Sequence, residues 1–198
     1  FTCGVPQEDL KRMTKAGAIP SGCYDPEKDV FTSSTGELKL KRQENQFLVS
    51  TPFSEGLILK ENQSLSGAFA SVSNRLCFGA FLVASIDRSP LAESRRILIL
   101  HLTDTKNSGM RFSGSDMNTC EDHGTLPLLV RRGEADLTLK RPLSGFRCYA
   151  LNLDGSRFAE VPLSIQNGRT RLTLRTACRG NVIAAYELIQ TEKGDHPQ

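Results

Sequence analysis

The sequence predicts an all-β protein: an antiparallel β-sandwich region preceded by a short N-terminal helix. From residue 30 onward, short runs rich in Val, Ile, Leu, Phe and Thr are separated by Gly, Asn, Asp and Ser, a pattern typical of strands joined by turns. Asp154-Gly155 and Asn167-Gly168 each stand between two such runs, and these dipeptides are the strongest signals for two-residue β-hairpins.

The only helical pattern lies near the N-terminus, in the segment PQEDLKRMTKA (residues 6–16). A proline followed by acidic residues is typical of a helix start, and Leu10 and Met13 fall on one side of such a helix. Gly17 and Pro20 are expected to end it.

Residues 30–118 are predicted to form a first β unit. GELKLKR (36–42) and NQFLVSTP (45–52) flank a polar turn and are expected to pair as a hairpin. LCFGAFLVASI (76–86) and RILILHL (96–102) are almost continuously apolar and bounded by turn residues. Such runs are typical of central strands buried on both faces.

Residues 124–190 are predicted to form a smaller antiparallel unit. In GEADLTLKRP (133–142), apolar and polar residues alternate, which indicates a half-buried strand. A turn at Asn167-Gly168 places Leu163 opposite Leu172, puts Ile165 and Leu174 on the same face, and leaves Arg171 and Arg175 in solvent.

This pattern gives four segments: the helix and a linker (1–29), the first unit (30–118), the smaller unit (124–190, ending in the strand VIAAYELI) and a polar tail (191–198). The loop SGSDMNTCEDHG (113–124) joins the two units. They are expected to pack either as two sandwiches or by sharing sheets.

Composition excludes several classes of protein. Hydrophobic residues make up 38% of the chain and charged residues 24%, which is ordinary globular usage. The net charge of +3 comes from interleaved basic and acidic residues, so no nucleic-acid partner is expected. No apolar run approaches the roughly 18 residues that span a bilayer, so no membrane insertion is expected.

The first residue is Phe1 rather than methionine, so we expect that a targeting segment was removed or that the chain is part of a larger polypeptide. The six scattered cysteines leave disulfides open. Cys120 and His123 could form half of a metal site with His101, but a polar loop beside a core strand accounts for them better. The segment DTKNSG (104–109) could offer oxygen ligands to Ca²⁺, but it is interpreted as a turn. No metal and no cofactor is predicted.

Catalysis by this chain alone is the weakest of the function hypotheses. A glycosidase needs two carboxylates held about 5 to 10 Å apart in a cleft, but a chain with 22 acidic residues supplies loop acids by chance. No nucleophile elbow or phosphate-binding motif occurs, and His101 is expected to be a satisfied core residue. The loop acids are Glu55, Asp87, Glu93, Asp104, Asp116, Glu121 and Asp122.

Sugar binding is a stronger alternative than catalysis. The chain has no Trp and three Tyr, which limits the stacking that glycan sites commonly use. Tyr149 and Tyr186 fall in predicted strands, whereas Tyr24 is predicted to lie in an exposed loop, where a role as a loop anchor is the favoured alternative. The candidate glycan contacts are Tyr24, Glu55, Asp104 and Asn107.

The segment SIDRSPLAESRRILIL (85–100) combines a turn, a charged cluster and an apolar strand. Residues 87–90 are predicted to form the turn and residues 97–100 the buried strand. Glu93, Arg95 and Arg96 then stand at the strand entrance, where we expect a structural or domain-docking role rather than chemistry.

Five phrases carry a family resemblance: SSTGELKL, FLVSTPFSEG, SIDRSPLAESRRILILHLTDTKNSGMRF, LPLLVRRGEADLTL and CYALNLDGSRFAEVPLSI. In this order they resemble the β-rich C-terminal region that follows the barrel in large bacterial glycoside hydrolase-like proteins, over roughly residues 30–190. The resemblance implies a non-catalytic accessory domain, secreted, periplasmic or on the cell surface, whose partner is an N-terminal catalytic domain of the same polypeptide. The alternative is a free-standing carbohydrate-binding or cell-surface adhesion module.

Overall fold

A ten-stranded antiparallel sheet packs against a five-stranded antiparallel sheet, so the predicted all-β sandwich is confirmed. The computed structural model describes residues 5–191. The polar tail predicted at 191–198 lies outside these residues except for Thr191, as do residues 1–4.

The described part of the chain contains one helix, α1 (Gln7–Lys15), and twenty-one strands. The strands of the first half are β1 (Tyr24–Asp25), β2 (Val30–Thr32), β3 (Leu38–Lys41), β4 (Gln46–Ser50), β5 (Ser54–Leu59), β6 (Ser64–Ser66), β7 (Ala70–Asn74), β8 (Gly79–Ser85), β9 (Arg96–Leu102) and β10 (Thr105–Ser108). Those of the second half are β11 (Arg111–Phe112), β12 (Cys120–Asp122), β13 (Thr125–Val130), β14 (Glu134–Leu139), β15 (Phe146–Leu151), β16 (Arg157–Val161), β17 (Ser164–Gln166), β18 (Arg169–Arg175), β19 (Ala177–Cys178), β20 (Asn181–Val182) and β21 (Ala185–Gln190).

The predicted N-terminal helix is confirmed as α1. Pro6 precedes it, and Glu8 and Asp9 occupy its first turn, where acidic side chains favour the positive end of the helix dipole. Leu10 is buried, and Gly17 follows the helix end with φ +73°, a left-handed conformation that glycine adopts without strain.

The two predicted β units share both sheets. The ten-stranded sheet has the order β1-β2-β3-β4-β5-β8-β9-β21-β15-β16, and the five-stranded sheet has the order β17-β18-β14-β7-β6. Strands β9 and β21 pair across the two units in one sheet, and β7 and β14 do so in the other. The arrangement is therefore one sandwich built from both segments, rather than two.

One hydrophobic core lies between the sheets. The predicted alternation in β14 is confirmed, because Ala135, Leu137 and Leu139 are fully buried while the residues between them are half-buried. The ten-stranded sheet contributes, among others, Leu57, Leu59, Phe81, Val83, Ile97, Ile99 and Leu188, and the five-stranded sheet contributes Leu65, Val72, Leu137, Leu139, Leu172 and Leu174.

The prediction that β8 and β9 are buried on both faces is wrong in part. In β8 and in β9, every second residue is fully buried in the core, and the residues between them are half-buried or exposed. The outward residues remain apolar, with Leu82, Leu98 and Leu100 half-buried and Leu102 exposed. Both strands are central in their sheet, but the described residues bury only one of its faces.

The predicted hairpins form with one correction. Asn167 and Gly168 both have positive φ and connect β17 to β18, with Gln166 opposite Arg169 as in the predicted register. The turn at Asp154-Gly155 is longer than two residues, because Asn152 and Ser156 bond to each other across it. There the Asp154 carboxylate accepts hydrogen bonds from the N–H and hydroxyl of Ser156.

Residues 103–131 form an arm of two-stranded pairings, β10 with β13 and β11 with β12. The loop predicted at 113–124 lies in this arm and includes β12. Leu126, Leu128 and Leu129 of β13 are all more than half exposed. An isolated two-stranded pairing is marginally stable in water, so strand pairing alone is expected to contribute little to the stability of this arm.

Candidate functional site

Tyr24, predicted to lie in an exposed loop, is instead buried in β1. Its side chain is 5% exposed, its hydroxyl donates a hydrogen bond to Asp29 Oδ1 at 2.9 Å, and its ring lies 4.6 Å from that of Phe31. Burial and the bond to Asp29 raise the pKa of Tyr24. At this low exposure, the ring offers no free face to a sugar.

Glu55, predicted as a loop acid, lies fully buried on the core side of β5. Its carboxylate accepts hydrogen bonds from the Ser50 hydroxyl at 2.8 Å and from the backbone N–H groups of Phe69 and Ala70 at 2.8 and 2.7 Å. Phe69 is the last residue of the β6–β7 turn and Ala70 is the first residue of β7, in the opposite sheet. The residue therefore joins the two sheets and does not reach a ligand in solvent.

Asp104 and Asn107 lie together in the arm, away from Tyr24 and Glu55. Asn107 is in strand β10, where a turn was expected, and its side-chain amide donates to the carbonyl of His123 at 2.8 Å. Asp104 lies 3.5 Å from Arg131 and 3.8 Å from Lys106. The four predicted glycan contacts therefore do not assemble into one site.

The charged segment before β9 is organised by Asp87. This carboxylate accepts hydrogen bonds from the hydroxyls of Ser85 and Ser94 and from the backbone N–H groups of Ser89 and Arg95, at 2.6 to 3.2 Å. Burial alone would raise the pKa of Asp87, but these four bonds outweigh it and hold the pKa well below its usual range.

Of the predicted docking residues, Glu93 and Arg95 are exposed on this segment, and Arg96 is the first residue of β9. Leu91 and Ser94 are buried, and Arg141 holds the backbone of this segment by donating to their carbonyls at 3.2 and 2.9 Å. The strand entrance is therefore a hydrogen-bonded rim on which Glu93 and Arg95 are exposed, while Arg96 bonds to Glu187.

Replacing Asp87 with alanine is expected to lower the free energy of unfolding by about 2 to 4 kcal/mol, because two hydroxyls and two backbone N–H groups lose a charged acceptor. The Glu93→Ala and Arg95→Ala variants are matched controls on the same segment and are each expected to cost less than about 0.5 kcal/mol. Urea unfolding at pH 7 measures all three. Equal effects at the three positions would contradict the role assigned to Asp87.

The two outer faces of the sandwich have opposite chemistry. The outer face of the five-stranded sheet is polar throughout, as its registers show. Its outward residues are Ser64, Ser66, Ser71, Ser73, Glu134, Asp136, Thr138, Ser164, Gln166, Arg171, Thr173 and Arg175. Arg75 and Arg175 bridge Glu134 and Asp136 there, holding the pKa of both carboxyls below their usual values.

The outer face of the ten-stranded sheet is apolar from β2 to β21, and we call this surface the apolar face. The side chains of this face are half-buried or exposed. On a sheet surface without a covering layer, only adjacent side chains of the same sheet reduce their contact with water. The members of the apolar face are Phe31, Leu38, Leu40, Phe47, Val49, Ile58, Ala80, Leu82, Ala84, Leu98, Leu100, Leu102 and Ala185.

The apolar face is large enough to be an interaction site. It crosses seven neighbouring strands, which at normal strand spacing gives an area on the order of 500 Å². Monomeric proteins rarely expose contiguous apolar patches beyond this size, and patches of this size are often functional.

One charged cluster interrupts the apolar face at its β9–β21–β15 end. Glu187 is opposite Leu98 on one side and Tyr149 on the other, and its side chain is only 7% exposed. Burial would raise the pKa of Glu187, but hydrogen bonds from Arg96 and Arg157 outweigh it and hold the pKa below its usual value.

His101 is buried in the core as predicted, but it is not satisfied. It is 1% exposed, and neither of its ring nitrogens has a hydrogen-bond partner among residues 5–191. Its ring stacks on Phe81 with a centroid distance of 4.5 Å, and burial lowers the pKa of His101 to about 4.

The other cysteine and histidine candidates do not join His101. Cys120 Sγ lies 3.7 Å from His123 Nδ1 in the arm, outside the core that holds His101. Within the described part of the chain, no group of three metal-ligating side chains occurs, and the five described cysteines are free thiols. No helix between residues 5 and 191 is both long and apolar enough to cross a membrane.

No protein-family model and no curated protein matches the chain.

Sequence reasoning missed Asp87 as an organising carboxylate, Glu187 as a buried one, and the apolar face as a surface. The sequence did contain a signal for the apolar face, because β8 and β9 carry apolar residues at both the inward-facing and the outward-facing positions. That pattern predicts burial on both faces, and the described residues supply a second layer on only one of them.

Proposed function

We propose that this chain is a non-catalytic accessory β-domain of a carbohydrate-active, glycoside hydrolase-like bacterial protein that is secreted, periplasmic or on the cell surface. Its partner is the catalytic domain that precedes it in the same polypeptide, and the apolar face is the docking surface. The order of the five sequence phrases supports the class of protein, and the contrast between the outer faces supports docking.

The contrast between the two outer faces carries the proposal. A sandwich that stands free in water is expected to have polar residues on both outer faces, because each strand buries only one side. Here one outer face follows that rule and the other presents leucine, valine and phenylalanine. A second layer of protein over the apolar face accounts for the difference.

The position of the carboxylates argues against hydrolysis by this chain alone. Glu55 and Glu187 are held by hydrogen bonds inside the structure, and Asp87 is saturated by four donors. A glycosidase needs one protonated and one ionised carboxyl across a cleft. Two of the predicted loop acids, Glu55 and Asp87, are therefore committed to structural hydrogen bonds and are not free for such a role.

The docking proposal predicts that the domain unfolds together with the rest of its polypeptide. In the longer polypeptide encoded by the same gene, calorimetry is expected to show one coupled transition. Replacing Leu82 and Leu100 with lysine should split it into two. The matched control places lysine at Ser71 and Thr138 on the polar outer face, where no effect on coupling is expected.

The same double variant reports on the isolated chain. Its open apolar face is expected to bind a hydrophobic dye or to self-associate, and the Leu82→Lys, Leu100→Lys variant should reduce both. Two independent transitions in the longer wild-type polypeptide, unchanged in the variant, would overturn the proposal. So would a gene that encodes nothing before this chain except a signal peptide.

A free-standing carbohydrate-binding or adhesion module is the second candidate, favoured by one feature. A groove of about 550 Å³ on the polar outer face is lined by Thr138, Ser164, Arg171 and Thr173, with Pro162 and Leu163 at its side. Hydroxyl and guanidinium donors beside an apolar wall suit a sugar. A glycan array on the isolated chain tests this candidate, with Arg171→Ala as the variant expected to abolish any binding.

A further inference from the structure

The charged cluster on the apolar face is not neutral. Arg96 Nε donates to Glu187 Oε1 at 2.7 Å, and Arg157 donates to Oε2 from Nε at 2.9 Å and from Nη2 at 2.8 Å. Two guanidinium groups therefore share one carboxylate. Arg157 is fixed further by the ring of Tyr149, 4.5 Å beneath its central carbon.

Glu160 does not remove this imbalance. It lies opposite Tyr149 on the same face, but among the described residues it bonds to neither Arg96 nor Arg157. Both arginines pair there with Glu187 alone.

The excess charge stands where a docked partner would exclude water. Glu187 is flanked by Leu98, and the next residue along that row is Ala84. Arg96 and Arg157 remain 54% and 46% exposed, and each guanidinium carries five N–H donors. Covering them with apolar surface alone would bury an unpaired charge, which is strongly unfavourable.

We infer that the partner surface which covers the apolar face presents a carboxylate to Arg96 and Arg157. This carboxylate lies next to the part of the partner surface that packs on Leu98 and Leu100. The inference rests on the docking function proposed above and adds the chemistry of its partner: an apolar surface carrying one acidic side chain. Glu187 acts as the positioning residue, because it accepts hydrogen bonds from Nε of Arg96 and from Nε and Nη2 of Arg157. The other N–H groups of the two guanidinium groups can then bond to the partner carboxylate.

The test uses the longer polypeptide with Arg96→Gln and Arg157→Gln together. Glutamine keeps an amide donor for Glu187 and removes the cation. The matched control is Arg75→Gln, since Arg75 is 45% exposed and bonds to two carboxylates on the polar outer face. Limited proteolysis at the junction between the domains measures the undocked population.

The double variant is expected to raise the cleavage rate at least tenfold and to make it less sensitive to salt, because the partner carboxylate loses its charged partners. Arg75→Gln should leave the rate unchanged. Urea unfolding of the isolated chain checks that the double variant is folded.

The outcomes separate the two proposals. If the wild-type domains are coupled and the double variant behaves like wild type, the partner carries no carboxylate here and the inference is overturned, while docking stands. If the wild-type domains are not coupled and the lysine variants of Leu82 and Leu100 change nothing, docking itself is overturned and the inference with it.

Discussion

Replacing Glu55 with alanine is expected to lower the free energy of unfolding by about 3 to 5 kcal/mol. The carboxylate is fully buried, and its loss leaves the backbone N–H groups of Phe69 and Ala70 without an acceptor inside the core. These groups lie where the β6–β7 turn enters β7 of the opposite sheet, so the contact between the two sheets is weakened at the same time.

Gly67 gives an independent test of the same contact. A Cβ atom at this position would lie 2.5 Å from Glu55 Oε2 and 2.7 Å from its carboxyl carbon. The Gly67→Ala variant is therefore expected to displace the carboxylate and to destabilise the protein. Because the two residues act on one contact, adding Gly67→Ala to Glu55→Ala should cost much less than the sum of the single effects.

Urea unfolding of four proteins decides the point: wild type, the two single variants and the double variant. Glu61→Ala is the matched control, since Glu61 is exposed and close in sequence. The Glu55→Gln variant should fall between wild type and alanine, because an amide keeps one acceptor oxygen but turns a donor toward a backbone N–H. A loss below about 1 kcal/mol for Glu55→Ala would contradict the bridging role.

Glu55 also illustrates why local patterns located strands better than sites. The segment FSEG suggests a polar turn, but Glu55, Leu57 and Leu59 are spaced by two, and this alternation continues into the core as β5. A charged residue at an inward position is tolerated only if partners satisfy it. Those partners, Phe69 and Ala70, come from a different sheet and leave no signal near residue 55.

The confirmed predictions are the ones that depend on neighbours in sequence. The helix α1, the alternation in β14 and the Asn167-Gly168 register each follow from local spacing. The pairings of β9 with β21 and of β7 with β14 join residues far apart in sequence. No local pattern specifies them, which is why the sharing of sheets stayed open.

The prediction that β8 and β9 are buried on both faces can be explained by the docking proposal. Their inward-facing apolar residues pack in the core, and their outward-facing apolar residues form part of the apolar face. A sequence selected to be covered on both faces, with one cover missing from the described residues, is what a docked domain would show. The apolar residues on both faces of β8 and β9 therefore explain the sequence-based prediction and also support the docking proposal.

Acidification from pH 6.5 to pH 4 is expected to destabilise the protein through His101 by about 3 kcal/mol, at about 1.4 kcal/mol for each pKa unit. The pKa of His101 is about 4 in the folded protein and 6.5 ordinarily. Above pH 6.5 the residue is neutral in both states, so stability is unaffected. As the pH falls below 6.5, the unfolded chain binds a proton that the folded protein does not accept until about pH 4.

The pKa of His101 is lowered because the ring is buried and no hydrogen bond or opposite charge among the described residues stabilises its protonated form. Phe81 stacks on one side of the ring, a Cβ atom added to Gly133 would lie 2.9 Å from its Nε2, and no charged group contributes to lowering the pKa of His101. The carboxylates with lowered pKa, including Asp87 and Glu187, keep their contribution above the ordinary carboxyl range and begin to lose it as the pH falls below about 5. The interval between pH 6.5 and 5 therefore isolates the histidine, and below pH 5 its share is the difference between wild type and the His101→Leu variant.

The measurement is the urea midpoint of wild type, His101→Leu and His123→Gln at intervals between pH 7.5 and 4. His101→Leu is expected to flatten the curve, whatever its absolute stability, because the titrating group is gone. His123→Gln, at an exposed position in the arm, should follow wild type. If wild type and His101→Leu lose stability in parallel, then His101 accepts its proton in the fold, and a polar group must reach the ring that the static structure keeps away from it.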